Sequence, residues 1–276
     1  MSKIKKMKTR PFNKAVKMEL REHKSAFLVY SVLRILTILT LVRQFFLGNY
    51  EGFFLCILTL ILLVLPSVIQ VQFRIELPTT LEIVILLFIF AAEILGEINS
   101  FFIIIPFWDT ILHTLNGFLA AAIGFSLVVL LNDNEQFTFN LSPLFIAIVA
   151  FCFSMTIGVL WEFFECAMDT FFHYDMQKDT VIHTISSVML DSAGGNAVIQ
   201  IKDVTDVAVN GKSLGVGGYL DIGLLDTMKD LFVNFIGAVI FSVIGFIYYK
   251  NKGIGKLAKR FIPRKKDADK DYLKVQ

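Results

Sequence analysis

Six runs of largely apolar residues dominate this chain, and each is long enough to cross a bilayer, because a helix rises about 1.5 Å per residue through about 30 Å of hydrocarbon. They lie near Ala26 to Phe46, Gly52 to Val71, Leu81 to Ile103, Phe107 to Leu131, Leu141 to Phe164 and Leu231 to Tyr249. Glu82, Glu93 and Glu97 interrupt the third. With 55% hydrophobic residues and only 18% charged, the chain lies outside soluble composition. The expected fold class is all-α: a polytopic membrane protein, a bundle of six transmembrane helices with one long extracytoplasmic loop. Membrane lipids are the expected partners, and no nucleic acid is.

The charge is distributed unevenly. Residues 1–24 hold nine Lys/Arg and residues 250–276 hold ten, out of 26 in the chain. An even number of spans puts both ends on one side, and the positive-inside rule makes that side cytoplasmic. The expected organisation is a basic N-terminal segment (1–24), a six-span domain (25–249) in the cell membrane and a basic tail (250–276). Its long connection, 165–229, then faces out; it carries four Lys and nine Asp/Glu. Within it Asp191 to Asn196 reads as a turn, and Asn210-Gly211 as a hairpin signal. Phe12, Ala15, Val16 and Leu20 suit either a helix lying on an anionic membrane surface or a solvated tail. Cys56, Cys152 and Cys166 give no disulfide framework and read as packing residues.

An ionisable group inside a span is costly, so its depth is informative. In this topology the third span ends with Glu93 and Glu97, the fourth begins with Asp109, His113 and Asn116, the fifth ends with Glu162, Glu165 and Asp169, and the sixth is entered through Asp226, Asp230 and Asn234. Spacings of three and four put each set on one helix face. All of these acids fall at the outer leaflet. Crowded carboxylates either take up protons or admit a cation; oxygen donors with one imidazole suit Mg²⁺, Mn²⁺ or Ca²⁺, and with fewer oxygens Zn²⁺. The plainer alternative is that acids at helix ends are solvated at the membrane rim. Gly117, Ala121 and Gly124 read as a close-packing stripe, and Trp108 and Trp161 as interface anchors. Arg43, near the outer end of the first span, could meet a phosphate there.

The set Asp109-xxx-His113-xxx-Gly117, Trp161-Glu162-xx-Glu165 and Asp226-Thr227-xx-Asp230 with Asn234, Gly237 and Ala238 resembles the YjdF-like uncharacterised inner-membrane proteins and, more distantly, the VanZ-like family. That resemblance covers about residues 80–250. It implies a helical membrane domain with its polar residues at one face, related to enzymes that modify lipid headgroups. Carried over, it makes Asp109, His113, Glu162, Glu165, Asp226 and Asp230 the functional set.

Three functions follow. The first is a metal-assisted enzyme acting on phospholipid or polyprenyl-phosphate headgroups at the outer leaflet. His113 and Asp109 would be catalytic, Glu162, Glu165, Asp226 and Asp230 would hold the divalent metal, and Glu93, Asn234 and Arg43 would face the substrate. The others are a partner-binding or assembly membrane protein, and a cation-binding transporter, which the near absence of ionisable groups in the inner halves of the spans, Arg34 and Glu82 apart, disfavours. The topology has a direct check: a cysteine placed at Lys212 should react with an impermeant maleimide in intact cells. Labelling only after lysis would overturn the arrangement.

Overall fold

The computed structural model describes residues 10–132 and 141–274. They divide between two compact units: residues up to 157 with those from 233 onward, and residues 158–232.

In the first unit α1 (Phe12–Glu19) leads into α2 (Lys24–Phe46), and a turn at Asn49 joins α2 to α3 (Tyr50–Leu62). The Asn49 side chain accepts from the Gly52 N–H at 3.1 Å and caps α3. The helix breaks at Leu63 and Val64 and resumes as α4 (Leu65–Phe73), with Pro66 in its first turn, where no N–H is needed. Next come α5 (Thr79–Phe90), a π-helical stretch (Ala91–Ile98), α6 (Phe101–Ile104) and α7 (Trp108–Asn132). α8 (Pro143–Phe172) and α9 (Leu224–Lys250) are continuous helices that begin or end in this unit.

Among the described residues, five helical segments are long and apolar enough to cross a membrane: Lys24–Phe46, Tyr50–Phe73, Trp108–Asn132, Pro143–Phe172 and Leu224–Lys250. The third expected run, Leu81 to Ile103, is helical but differs. Its α-helix has 12 residues and gives way to an eight-residue π-helix. That stretch ends where Asn99 Nδ2 donates to the Ile94 carbonyl at 2.7 Å and Ser100 turns left-handed.

Buried positions in α2, Ala26, Tyr30, Leu33 and Thr37, recur every three or four residues, while Leu28, Ile35 and Leu39 are exposed. This is the pattern of a lipid-facing helix, apolar outside and small or weakly polar inside. The tightest packing involves α7. A Cβ on Gly117 would meet the Asn234 carbonyl oxygen of α9 at 2.1 Å, and one on Gly237 would meet that of Thr114 at 2.0 Å. The expected stripe of small residues therefore serves close backbone contact. Around it lie Ala121, Ala122, Phe125, Ile146, Ala150 and Phe241. Of the cysteines only Cys56 is buried; Cys152 and Cys166 are exposed, and all three are free.

The C-terminal tail packs back on the helices, although many of its residues are exposed. Residues 264–265 pair antiparallel with 75–76, and Ala15 and Val16 of α1 pack against Val71, Tyr272 and Leu273. The apolar face of α1 is covered by protein, not laid on lipid.

The second unit holds the rest of α8, the start of α9 and the connection between them. Short antiparallel pairs join 181–182 to 219–220, 185–187 to 199–201 and 208–209 to 212–213. The last is the expected hairpin, with φ of 52° at Asn210 and 77° at Gly211, the double positive φ of a two-residue turn. At the expected turn, the Asp191 carboxylate accepts from the N–H groups of Ala193 and Gly195, each at 3.0 Å. Asp221 accepts from Thr180 N–H at 2.7 Å and from Leu225 N–H at 2.8 Å. Partial burial raises its carboxyl, but these bonds outweigh it and hold the group below its ordinary value.

Gly117→Val and Gly237→Val should each destabilise the protein by about 1 to 3 kcal/mol or more, since overpacking at a backbone contact has no flexible atom to displace. Thermal unfolding in detergent followed by circular dichroism reads this; a melting temperature equal to wild type would remove the contact's importance.

Candidate functional site

In the first unit the start of α7 is fixed to the π-helical stretch. The Trp108 indole N–H donates to the Ala91 carbonyl at 3.3 Å, and its ring meets Phe101 edge-on at 5.0 Å. From this anchor α7 presents Asp109 and His113 one turn apart. His113 Nε2 lies 3.3 Å from Asp109 Oδ1, and the imidazole side chain is only 11% exposed. An imidazole beside a carboxylate, mostly screened from water, is a group able to exchange a proton with a bound ligand.

One turn further along α7 the polar row becomes uncharged. Asn116 Nδ2 donates to Asn234 Oδ1 at 3.2 Å, and Asn234 Nδ2 reaches the Ser154 carbonyl at 3.5 Å. Ser154 Oγ in turn donates to the Gly117 carbonyl at 2.7 Å. Asn234 and Ser154 are both fully buried. These bonds tie α7, α8 and α9 together at the level where Gly117 lets the backbones touch. Glu93 is half-buried on the π-helical stretch and Glu97 is exposed. Arg43 stands exposed in the last turn of α2 and has no carboxylate partner among the described residues.

In the second unit Glu162 and Glu165 of α8 are buried. The Trp161 indole N–H donates to Glu165 Oε1 at 2.8 Å, so this tryptophan orients an acid. Asp169 accepts from the successive N–H groups of Met176 and Gln177 at 2.7 and 2.8 Å. Gln177 then donates to Thr227 Oγ1 at 2.5 Å. Asp226 accepts from Lys178 N–H at 3.0 Å through Oδ2 and faces the Lys229 ammonium at 3.2 Å through Oδ1. Asp230, 2% exposed, lies 3.7 Å from the same ammonium.

The structure thus pairs Asp109 with His113, Asn116 with Asn234, and both Asp226 and Asp230 with Lys229. Asp169 and Asp226 also shape the connecting segment by binding its backbone. Sequence reasoning missed Ser154, a single serine in an apolar run with no spacing signal. It also read Trp161 only as an interface anchor and did not pair it with Glu165, one turn on.

Compared with known families, residues 27–251 match the model of a family described as predicted membrane protein (DUF2238). The chain belongs to that family. No curated protein and no solved structure matches it. The DUF2238 match takes in every candidate site residue from Arg43 to Asn234, and leaves α1 and the tail outside.

Asn234→Ala should destabilise this DUF2238 member by about 1 to 3 kcal/mol, because it removes a buried amide and leaves the half-buried Asn116 amide without its acceptor. Combined with Asn116→Ala in a double-mutant cycle, the effects should fall short of additive. Additive losses in thermal unfolding would show that the two amides do not act together.

Proposed function

We propose that this protein is a membrane enzyme acting on a phosphate-bearing lipid headgroup, a phospholipid or a polyprenyl phosphate, at the outer face of the cell membrane. In this reading the helical run from Thr79 to Ile98 is a sixth crossing, both termini are cytoplasmic and residues 165–229 are outside. The observation that carries it is the Asp109–His113 pair, an imidazole oriented by a carboxylate and largely withdrawn from water. The resemblance to YjdF-like and, further off, VanZ-like proteins favours the same headgroup chemistry.

His113 takes and returns a proton at the headgroup, and Asp109 keeps its ring oriented and stabilises the imidazolium. Glu162, Glu165, Asp226 and Asp230 are the residues to hold a divalent cation. Their chemistry fits one: all offer hard oxygen donors, three are buried, and Lys229 lies beside two of them, Asp226 and Asp230. When bound, the cation would polarise a phosphoryl oxygen and offset its repulsion from the carboxylates. Asp226 also accepts from the Lys178 N–H. Glu93, Asn234 and Arg43 would line the path of the substrate, with Arg43 meeting phosphate at the rim.

A partner-binding role is the second reading. The connecting segment exposes Met189 at 89% and Ile222 at 79%, apolar residues that a docking protein would cover.

With purified protein in lipid nanodiscs supplied with phospholipids or polyprenyl phosphates, His113→Ala and Asp230→Asn should each lower headgroup turnover by at least about 100-fold, the range of a lost acid–base group. Glu51→Gln, an exposed acid on α3, should leave turnover unchanged, and a chelator should mimic Asp230→Asn. Protein that binds no divalent cation and leaves every lipid intact would refute the enzyme and favour partner binding.

A further inference from the structure

A second group of buried charges is assembled by α1, α4, α5 and the C-terminal tail. Glu19 on α1 is 2% exposed and Glu82 on α5 is 4% exposed. The Lys266 ammonium of the tail bonds to Glu19 Oε2, and its own side chain is 3% exposed. Gln70 of α4 accepts from the Leu77 N–H at 2.9 Å through Oε1, and its amide hydrogen-bonds Glu82. Glu82 is close enough to Glu19 and Lys266 to feel both charges. Two carboxylate oxygens remain: Glu19 Oε1 and Glu82 Oε2 are buried and have no hydrogen-bond partner among the described residues. The same holds for Ser67 Oγ, one turn before Gln70.

Two carboxylates and one ammonium leave this cluster short of one positive charge, and an unbalanced buried charge costs several kcal/mol. Lys266 already occupies one face of Glu19 and repels a further fixed cation. A proton does more, because it removes the excess charge and turns an orphaned acceptor into a donor. Uptake of a proton by one of two like-charged buried carboxylates is the established outcome of such crowding.

We propose that Glu19 and Glu82 together bind one exchangeable proton, and that this proton locks the C-terminal tail onto α1. Burial pushes the Glu19 carboxyl above its ordinary value, and Lys266 offsets this only in part. The surrounding charges are paired among themselves. From the tail, Lys270 meets Glu76 at 2.9 Å, Asp271 meets Arg74 at 3.8 Å, and the Tyr272 hydroxyl donates to Glu22. His23, after α1, lies 3.9 Å from Glu76. The hydrogen bond to Glu76 raises the Lys270 ammonium, so it stays charged. The unbalanced position is therefore Glu19 with Glu82. Because the folded Glu19 value lies above the unfolded one, the proton's contribution to tail docking is complete in acid and is lost as pH rises through the folded value.

The test is pH-difference infrared spectroscopy on the full chain in nanodiscs, with amide exchange of residues 264–266 corrected for the intrinsic rate. A protonated-carboxyl band should be present at neutral pH, vanish on alkalinisation together with tail protection, and be absent from both Glu19→Gln and Glu82→Gln. In Glu82→Gln, where the amide replaces the proton as donor, tail protection should no longer depend on pH. Glu76→Gln should keep the band. A band that survives in both site variants overturns the proposal, as does a tail whose protection follows sodium or potassium concentration instead of pH.

Discussion

The contact between the backbones of α7 and α9 sets what the rest of the molecule can do. Lipid tails are as apolar as leucine, so helices in a bilayer are not driven together by burying apolar surface; close packing and interhelical hydrogen bonds must do it. Gly117 and Gly237 leave room for carbonyls where a Cβ would stand. That proximity brings the Asn234 amide within reach of Asn116 and Ser154. The helix so fixed carries Asp109 and His113 one turn away, and residues with no chemistry of their own thus fix the helix that bears this pair.

The acids that look alike in the sequence differ in the structure. Asp169, Asp221 and Asp226 accept from backbone N–H groups and hold the connection between α8 and α9 in shape. Glu162, Glu165 and Asp230 are buried on helices, where a carboxylate is costly without a purpose. A backbone cap and a buried helix acid are the same residue type; only the neighbours distinguish them.

Apolar run length made five of the long helices legible, and four-residue spacing made Asp109 with His113 legible, whereas Trp161, read as an interface anchor, binds Glu165 instead. The small-residue stripe of α7 was readable because only close approach explains it. Hydropathy does not record winding, so the π-helical turn from Ala91 to Ile98 had no signal beyond the acids interrupting its run. Nor does counting charges reveal pairing. Lys266 is one of the ten basic residues of 250–276 that read only as a basic tail, yet its partner is Glu19, 247 residues away. Ala15 and Val16 suggested a membrane surface, but the face they complete belongs to the tail.

That separation bears on how the protein is made. Glu19 and Glu82 enter the nascent chain well before the ammonium that binds Glu19. The inserted helices therefore stand with two acids at a seam that stays unsealed until residues 264–266 arrive. A contact this distant along the chain is slow to find, which makes it a natural checkpoint: a membrane quality-control protease would meet an open α1 before the tail docks and a covered one afterwards.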